Sequence, residues 1–224
     1  MATRDTVPQA VMDALGAGAE PAVARCLERY AGPSRRLHDL AYLRLGFREH
    51  LRLMGGHPPR LAAVAWLWHA WEDGDEGASA VELLRDAKGL GLTLEEADDK
   101  VAPLILGSRP SLPSSSVVGD MRLAVLGQEE KRYAAYARKV RLEWRRLGVA
   151  AVIAGRAAAL KELMARKPLY FKEEFEGGLA ERARRNMAKE LSSLGFPPPP
   201  EAPDGLARII DTSNILMLGR GEER

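Results

Sequence analysis

Few side chains in this sequence have the chemistry of nucleophiles, general bases or metal ligands. The chain has four histidines and a single cysteine. Cys26 is flanked at helical spacing by Ala22 and Tyr30, which favours core packing over a nucleophilic role. His38 and His69 have side chains that can ligate a metal as neutral imidazoles. From the residues alone, however, a hydrogen-bonded histidine in the core is the favoured interpretation of both.

The segments that would position these side chains have the apolar spacing of helices. Tyr133, Tyr136, Val140, Trp144 and Leu147 follow one another at steps of three and four, which predicts one apolar stripe along a helix. No alternation of β-branched residues between turn signals indicates a strand. We therefore predict an all-α fold. The predicted helices span residues 6–15, 20–30, 38–54, 58–71, 75–89, 93–106, 128–147, 149–164 and 176–194.

Two segments interrupt this helical pattern. Residues 107–119 are rich in serine and proline and form a predicted loop that is long enough to lie near a functional site. Residues 197–200 are four consecutive prolines, which predict a stiff spacer. We divide the chain into a helical domain, residues 1–195, and a proline-rich linker with an apolar C-terminal tail, residues 196–224. The tail is expected to dock on its own domain or to pair with a second subunit or another protein.

The overall composition argues against several classes of protein. The formal net charge is only +2 over 224 residues, so no strong field attracts nucleic acid or an anionic membrane. The basic run from Lys139 to Arg146 lacks interleaved exposed aromatic residues and is interpreted as a solvated face, which makes nucleic-acid binding unlikely. No apolar run has the roughly 18 residues of a membrane span. One cysteine permits no internal disulfide, and we predict a cytoplasmic protein.

Several segments, taken in order, resemble those of one protein family. They are RRLHDLAYL near residue 36, WLWHAWEDGDEGASA from Trp66, DMRLAVLG from Asp120, YAAYARKVRLEW, GRAAALKELMARKPLY and ERARRNMAKEL. The ordered set is similar to the predicted HD-superfamily metal-dependent phosphohydrolases and covers roughly residues 25–195. The resemblance implies an HD-domain-like helical bundle of about eight to ten helices.

The resemblance also implies a metal site, of which this chain keeps only part. His38 matches the first histidine of the family's R-Y-H-N-x-x-H segment, whereas Tyr42 replaces the second histidine. His69 matches the histidine of the HD pair, whereas Ala70 replaces its aspartate. In the family, such ligands hold a divalent cation that activates a water molecule for attack on a phosphoester.

The acidic positions of the implied site are altered as well. Asp120 matches the first member of the family's D-x-D pair, and Arg122 replaces the second. A guanidinium about 4 Å from a cation costs on the order of 4 kcal/mol per unit of metal charge at an effective dielectric near 20. We therefore expect no tightly bound cofactor. If a divalent metal (Mn, Co, Ni, Mg or Fe) does bind, His38, His69 and Asp120 are its expected ligands.

Two functional hypotheses remain open at this point. In the first, the chain is a catalytically degenerate phosphohydrolase-like protein with a binding or regulatory role. Arg122, paired with Asp120 or Glu76, would then recognise the phosphate or carboxylate of a small ligand or nucleotide. In the second, the chain is an active metal-dependent phosphohydrolase whose site is rearranged. Its metal ligands would come from residues such as Asp120, Asp73 or Glu72.

The pocket that both hypotheses share is predicted to consist of seven residues. These are His38, Tyr42, His69, Ala70, Glu76, Asp120 and Arg122. Glu76, with Asp75, also suits the N-terminus of a helix, where acidic side chains complement the dipole. A further set of polar residues matches the family pattern and is interpreted as scaffold that ties helices together. That set is Arg141, Glu143, Arg156, Arg184 and Asn186. The tryptophans Trp66, Trp68, Trp71 and Trp144 are predicted to lie in the core or between helices.

Overall fold

The computed structural model describes residues 6–72 and 74–196, and within these residues every regular element is helical. The predicted all-α class is thereby confirmed. The α-helices are α1 Gln9–Leu15, α2 Glu20–Tyr30, α3 Leu40–Met54, α4 Arg60–Trp68, α5 Glu76–Asp86, α6 Leu94–Glu96, α7 Ala102–Leu106, α8 Val117–Leu123, α9 Glu130–Glu143, α10 Val149–Ala165 and α11 Glu173–Ser193. Shorter 3₁₀ turns span Ala17–Ala19, Ala87–Leu90 and Arg145–Leu147, and a π turn joins α6 to α7 at Ala97–Val101.

Local sequence signals explain several of these helix ends. A capping box begins α6, since the Thr93 hydroxyl accepts from the Glu96 amide at 3.0 Å and the Glu96 carboxylate accepts from the Thr93 amide at 3.2 Å. Asp39 caps α3 by accepting from the Tyr42 amide at 2.9 Å. Gly55 ends α3 in the left-handed region with φ of 71°. These caps fix where the chain enters and leaves α3, which borders the candidate site.

Helix α4 is the centre of the core. Its residues from Ala62 to Trp68 are all buried, and the helix packs against α1, α2, α3, α5, α7 and α8. A helix that is apolar on every side is expected at such a central position. Cys26 on α2 lies fully buried against it and donates its thiol hydrogen to the Leu67 carbonyl oxygen at 3.1 Å. The predicted core role of Cys26 is confirmed.

Two predictions about elements are wrong in informative ways. The predicted helix over 128–147 ends at Glu143, and a 3₁₀ turn follows. The turn breaks the helical phase, so Trp144 and Leu147 leave the apolar stripe and are 42% and 51% exposed. Trp144 is thus neither core nor closely packed interface, whereas Trp66 and Trp68 are fully buried as predicted. The predicted loop over 107–119 also gives way to α8 from Val117 onward, with Ser116 as its cap.

Of the residues predicted as scaffold, Asn186 and Arg184 link α11 to segments that lie between other helices. The Asn186 side-chain amide on α11 donates to the carbonyl oxygens of Leu126 and Gln128, both at 2.8 Å. Arg184 on the same helix donates to the Arg166 carbonyl oxygen at 2.9 Å.

Of the described helices, none is both long enough and apolar enough to cross a bilayer. The predicted C-terminal tail lies outside the described residues.

Candidate functional site

The predicted pocket forms where the beginning of α3 meets the end of α4. His38 directly precedes the cap of α3, and Tyr42 lies in the first turn of that helix. His69 and Ala70 follow the last residue of α4. Glu76 is the first residue of α5, and Arg122 lies on α8, a helix that the sequence pattern does not indicate. The fold thus gathers side chains from four helices that are distant in sequence.

The histidines and their neighbours form an aromatic cluster. The ring of His38 lies 4.9 Å from that of Tyr42 and 5.9 Å from that of His69, measured between centroids. His69 stacks on Trp66 at 4.3 Å with the ring planes 9° apart. His69 is 1% exposed and His38 is 7% exposed. The two imidazoles are therefore buried neighbours, with His69 the deeper one.

Hydrogen bonding fixes the tautomer of His69. Its Nδ1 lies 2.6 Å from the Trp66 carbonyl oxygen, which can only accept, so Nδ1 carries the hydrogen. Nε2 then presents a lone pair, and this buried atom has no hydrogen-bond partner among the described residues. Burial, followed by the positive charge of Arg122 and the proximity of His38, holds the pKa of His69 well below its usual value. His69 is a neutral hydrogen-bond acceptor at physiological pH.

This arrangement predicts how His69 titrates. We expect nitrogen chemical shifts from two-dimensional NMR to report a neutral ring with hydrogen on Nδ1 at the ordinary histidine pKa near 6.5 and well below it. Because the pKa of His69 is lowered only in the folded state, neutral His69 contributes fully to the free energy of unfolding above that ordinary value. This contribution is lost as the pH falls toward the pKa of His69 in the folded state. A His69 resonance that titrates at or above pH 6.5 would contradict the described burial.

Arg122 occupies the position that the family resemblance assigns to a metal-ligating acid. Its Nη1 donates to Glu76 Oε1 at 2.6 Å and to the Ser108 hydroxyl at 3.4 Å. Arg122 is 7% exposed, and its Nε is buried without a hydrogen-bond partner among the described residues. Arg109 approaches the other oxygen of Glu76, with Nε 3.4 Å from Oε2. Of the two pairings predicted for Arg122, the one with Glu76 is present.

Asp120 does not take part in this cluster. Arg122 lies two positions after Asp120 along α8, which is about 200° around a helix, so the two side chains leave opposite faces. The Asp120 carboxylate accepts from the Ser114 hydroxyl at 2.6 Å and from the backbone amides of Phe171 and Lys172 at 2.7 and 2.8 Å. Burial raises the pKa of Asp120, and these hydrogen bonds partly offset the increase. The predicted pairing of Asp120 with Arg122 is therefore corrected.

The backbone at Ala70 is held by residues that the motif comparison did not single out. The Ala70 amide donates to the Tyr30 hydroxyl at 3.2 Å, and its carbonyl oxygen accepts from Arg35 Nη1 at 2.6 Å. Arg35 also donates to the Trp71 carbonyl oxygen. The only signal for Arg35 was its position three residues before His38. Arg109 was indicated only by the predicted loop in which it lies.

The residues present do not fit a divalent metal held as the family resemblance implies. Among residues 6–72 and 74–196, no group of three His, Cys, Asp or Glu side chains is placed to hold a metal. His38, His69 and Asp120 do not form a metal site together, because the Asp120 carboxylate accepts hydrogen bonds from the backbone amides of Phe171 and Lys172. Glu72 pairs with Arg29, and Asp73 lies outside the described residues.

Two clefts open near these residues, and the predicted pocket contributes little to either. One, of about 350 Å³ between α3 and α9, is lined by Tyr42 and by basic residues including Arg132 and Lys139. The other, of about 460 Å³, contains none of the seven predicted pocket residues among its lining.

Comparisons of the chain with family models, curated proteins and solved structures found no match. The family resemblance accordingly remains a hypothesis carried by the motifs alone.

Proposed function

We propose that this chain is a catalytically degenerate HD-domain-like protein that binds a small phosphorylated anion through Arg122, in a binding or regulatory role. The supporting observation is that only one side of the Arg122 guanidinium donates hydrogen bonds to described residues. Both hydrogen bonds that it donates to described residues come from Nη1. The edge formed by Nε and Nη2, which can donate two parallel hydrogen bonds to phosphate or carboxylate, is left for a ligand.

The charges around this edge also favour a monoanion. Arg122 and Arg109 together carry two positive charges against the single negative charge of Glu76. His69 adds no charge, but its Nε2 accepts a hydrogen bond and so complements a protonated phosphate oxygen. Dihydrogen phosphate and the singly protonated phosphate group of a nucleotide are monoanions with both an anionic edge for the guanidinium and a hydroxyl for the imidazole.

Access to the site requires a local movement. Arg122 Nε is buried, so an anion reaches it only when a covering group is displaced. The segment from Gly107 to Ser116 carries both Ser108 and Arg109 and has no helical hydrogen-bond ladder in its central part. Arg109 is 45% exposed in its side chain and contacts Glu76 at 3.4 Å. We expect this segment to move when the anion binds.

The experiment measures binding of inorganic phosphate and AMP in buffer containing EDTA, by phosphorus NMR titration. Arg122→Met is expected to weaken binding roughly tenfold or more, because a charged hydrogen-bond donor is lost. Glu76→Gln is expected to strengthen it, because a competing carboxylate is removed. The matched control is Arg138→Met, which removes an exposed arginine from α9. A purely structural ion pair would not produce opposite effects from its two partners.

Folding of the variants is controlled with the double substitution Glu76→Gln plus Arg122→Met, which leaves no unpaired charge of the ion pair in the interior. Its circular dichroism and thermal unfolding should match the wild type while phosphate binding is lost. If wild-type protein does not bind phosphate or AMP, or if Arg122→Met binds equally well, the proposal fails. Stoichiometric manganese together with phosphoester hydrolysis that His69→Ala abolishes would instead support the alternative, an active phosphohydrolase.

A further inference from the structure

A second cleft lies on the side of α8 that faces away from Arg122. It runs between the end of α3, the start of α4, α7 and the chain around residue 171, and its volume is about 460 Å³. Sites for small organic ligands in proteins commonly have volumes of about 300–1,000 Å³. The size of the cleft therefore suits a small organic molecule rather than a single ion.

One wall of the cleft is apolar. Met54, Leu104, Val117 and Phe171 contribute to it, and Phe171 is 50% exposed. A half-exposed phenylalanine at the edge of a concave surface offers apolar area that a ligand can cover with a gain in free energy. The apolar wall therefore favours a ligand with a hydrocarbon or aromatic body.

The charged groups of the cleft have a single sign. Lys172 is the one residue of permanent charge among those that line it, and none of the lining residues is aspartate or glutamate. His50 also lines the cleft, but burial lowers its pKa, and its Nδ1 is engaged with the Gly56 carbonyl oxygen at 2.8 Å. The Lys172 ammonium lies 5.3 Å from the centroid of the Phe171 ring. The cation and the exposed ring thus adjoin each other.

Asp120 holds both sides of this cleft in place. Its carboxylate joins the Ser114 hydroxyl, beside the lining residues Ser115 and Ser116, to the backbone amides of Phe171 and Lys172. A buried carboxylate that accepts three hydrogen bonds restrains both segments together. The acid that the family resemblance assigned to a metal site is used here to position the cleft.

We propose that this cleft binds a small amphipathic anion, with its negative group at the Lys172 ammonium and its apolar body against Phe171 and the neighbouring apolar wall. The inference rests on the juxtaposition of one cation, a half-exposed aromatic ring and a preformed concave wall without acidic residues. It does not depend on the proposed anion site at Arg122, which lies on the other face of α8.

The test uses the full chain and the fluorescent probe anilinonaphthalene sulfonate, which combines an aromatic body with one negative charge. Saturable binding to the wild type is expected. Lys172→Met should weaken it roughly fivefold or more, because the charged partner is removed. Phe171→Ala should weaken it roughly threefold or more, because apolar contact is lost. Octanoate should displace the probe, whereas octylamine should not.

The controls remove a lysine and truncate an exposed apolar side chain elsewhere on the surface. Lys131→Met removes an exposed lysine on α9, and Leu147→Ala truncates an apolar side chain that is 51% exposed. Both should bind the probe as the wild type does. Arg122→Met should also leave probe affinity unchanged, which separates this proposal from the one above. Equal displacement by octylamine and octanoate, or wild-type affinity in Lys172→Met, would overturn the inference.

Discussion

Replacing Glu190 with glutamine is expected to lower the free energy of unfolding by about 3–5 kcal/mol, because it leaves a buried guanidinium without its counter-ion. The Arg156 side chain is 9% exposed and that of Glu190 is 3% exposed. Arg156 donates to both carboxylate oxygens, from Nε at 3.0 Å and from Nη2 at 2.9 Å. Tyr133 donates to the same carboxylate at 2.5 Å. One acid therefore joins α9, α10 and α11.

The pH dependence of this effect follows from the pKa of Glu190. Burial raises it, but the hydrogen bond and charge of Arg156, with the Tyr133 hydrogen bond, outweigh burial and hold it below the ordinary value. Because the pKa of Glu190 is lowered in the folded state, ionised Glu190 contributes fully to the free energy of unfolding above the ordinary glutamate pKa of about 4.3. This contribution is lost as the pH falls through the lowered pKa. The stability difference between wild type and variant should therefore shrink as the pH falls toward the lowered pKa of Glu190.

Urea denaturation from pH 7 to pH 3 measures the effect. The control is Glu181→Gln on the same helix, whose side chain is 85% exposed and pairs with Arg185. Exposed pairs of this kind contribute at most about 1 kcal/mol, so the control should unfold nearly as the wild type does. If Glu190→Gln loses no more stability than this control at pH 7, the cluster does not have the structural importance described.

The helices could be predicted because their apolar spacing is regular over several turns. Helices α2, α3 and α11 show this well, since each buries one face against α4 or against a neighbour. Helix α8 was missed because it has only seven residues and follows a serine- and proline-rich segment. Its apolar residues are too few to establish a period. Tertiary packing, through the burial of Val118 and Met121, decides its formation.

The candidate site was predictable to the extent that it depended on residue identity. The motifs brought attention to His38, His69 and Arg122, which the fold places close together. The direction of Asp120 was not predictable, because it depends on the helical phase of α8. Nor could spacing reveal that the amides of residues 171 and 172 would satisfy its carboxylate. Contacts between segments some fifty residues apart are set by the packing of the whole core.

Substitution of Gly46 by alanine is expected to destabilise the protein by about 3 kcal/mol, although alanine is the better helix former by about 1 kcal/mol. Gly46 lies on α3 against Trp66 of α4, and a Cβ there would lie 2.5 Å from Cε2 and 2.9 Å from Nε1 of the indole. Trp66 is fully buried, and its Nε1 donates to the Leu43 carbonyl oxygen at 3.1 Å. The ring cannot retreat without losing that bond or its stacking on His69.

The control is Gly155→Ala in α10, where an added Cβ meets no heavy atom within 4 Å. This substitution should stabilise the protein by about 0.5–1 kcal/mol, so two glycine-to-alanine changes in helices are expected to have opposite signs. Adding Trp66→Phe to Gly46→Ala makes room for the methyl group, and the pair should lose less stability than the two single changes summed. Additive losses would mean that Trp66 does not take up the clash. Since His69 stacks on the Trp66 indole, the ring resonances of His69 should shift in Gly46→Ala and remain unchanged in Gly155→Ala. This result would link the packing of the core directly to the candidate site.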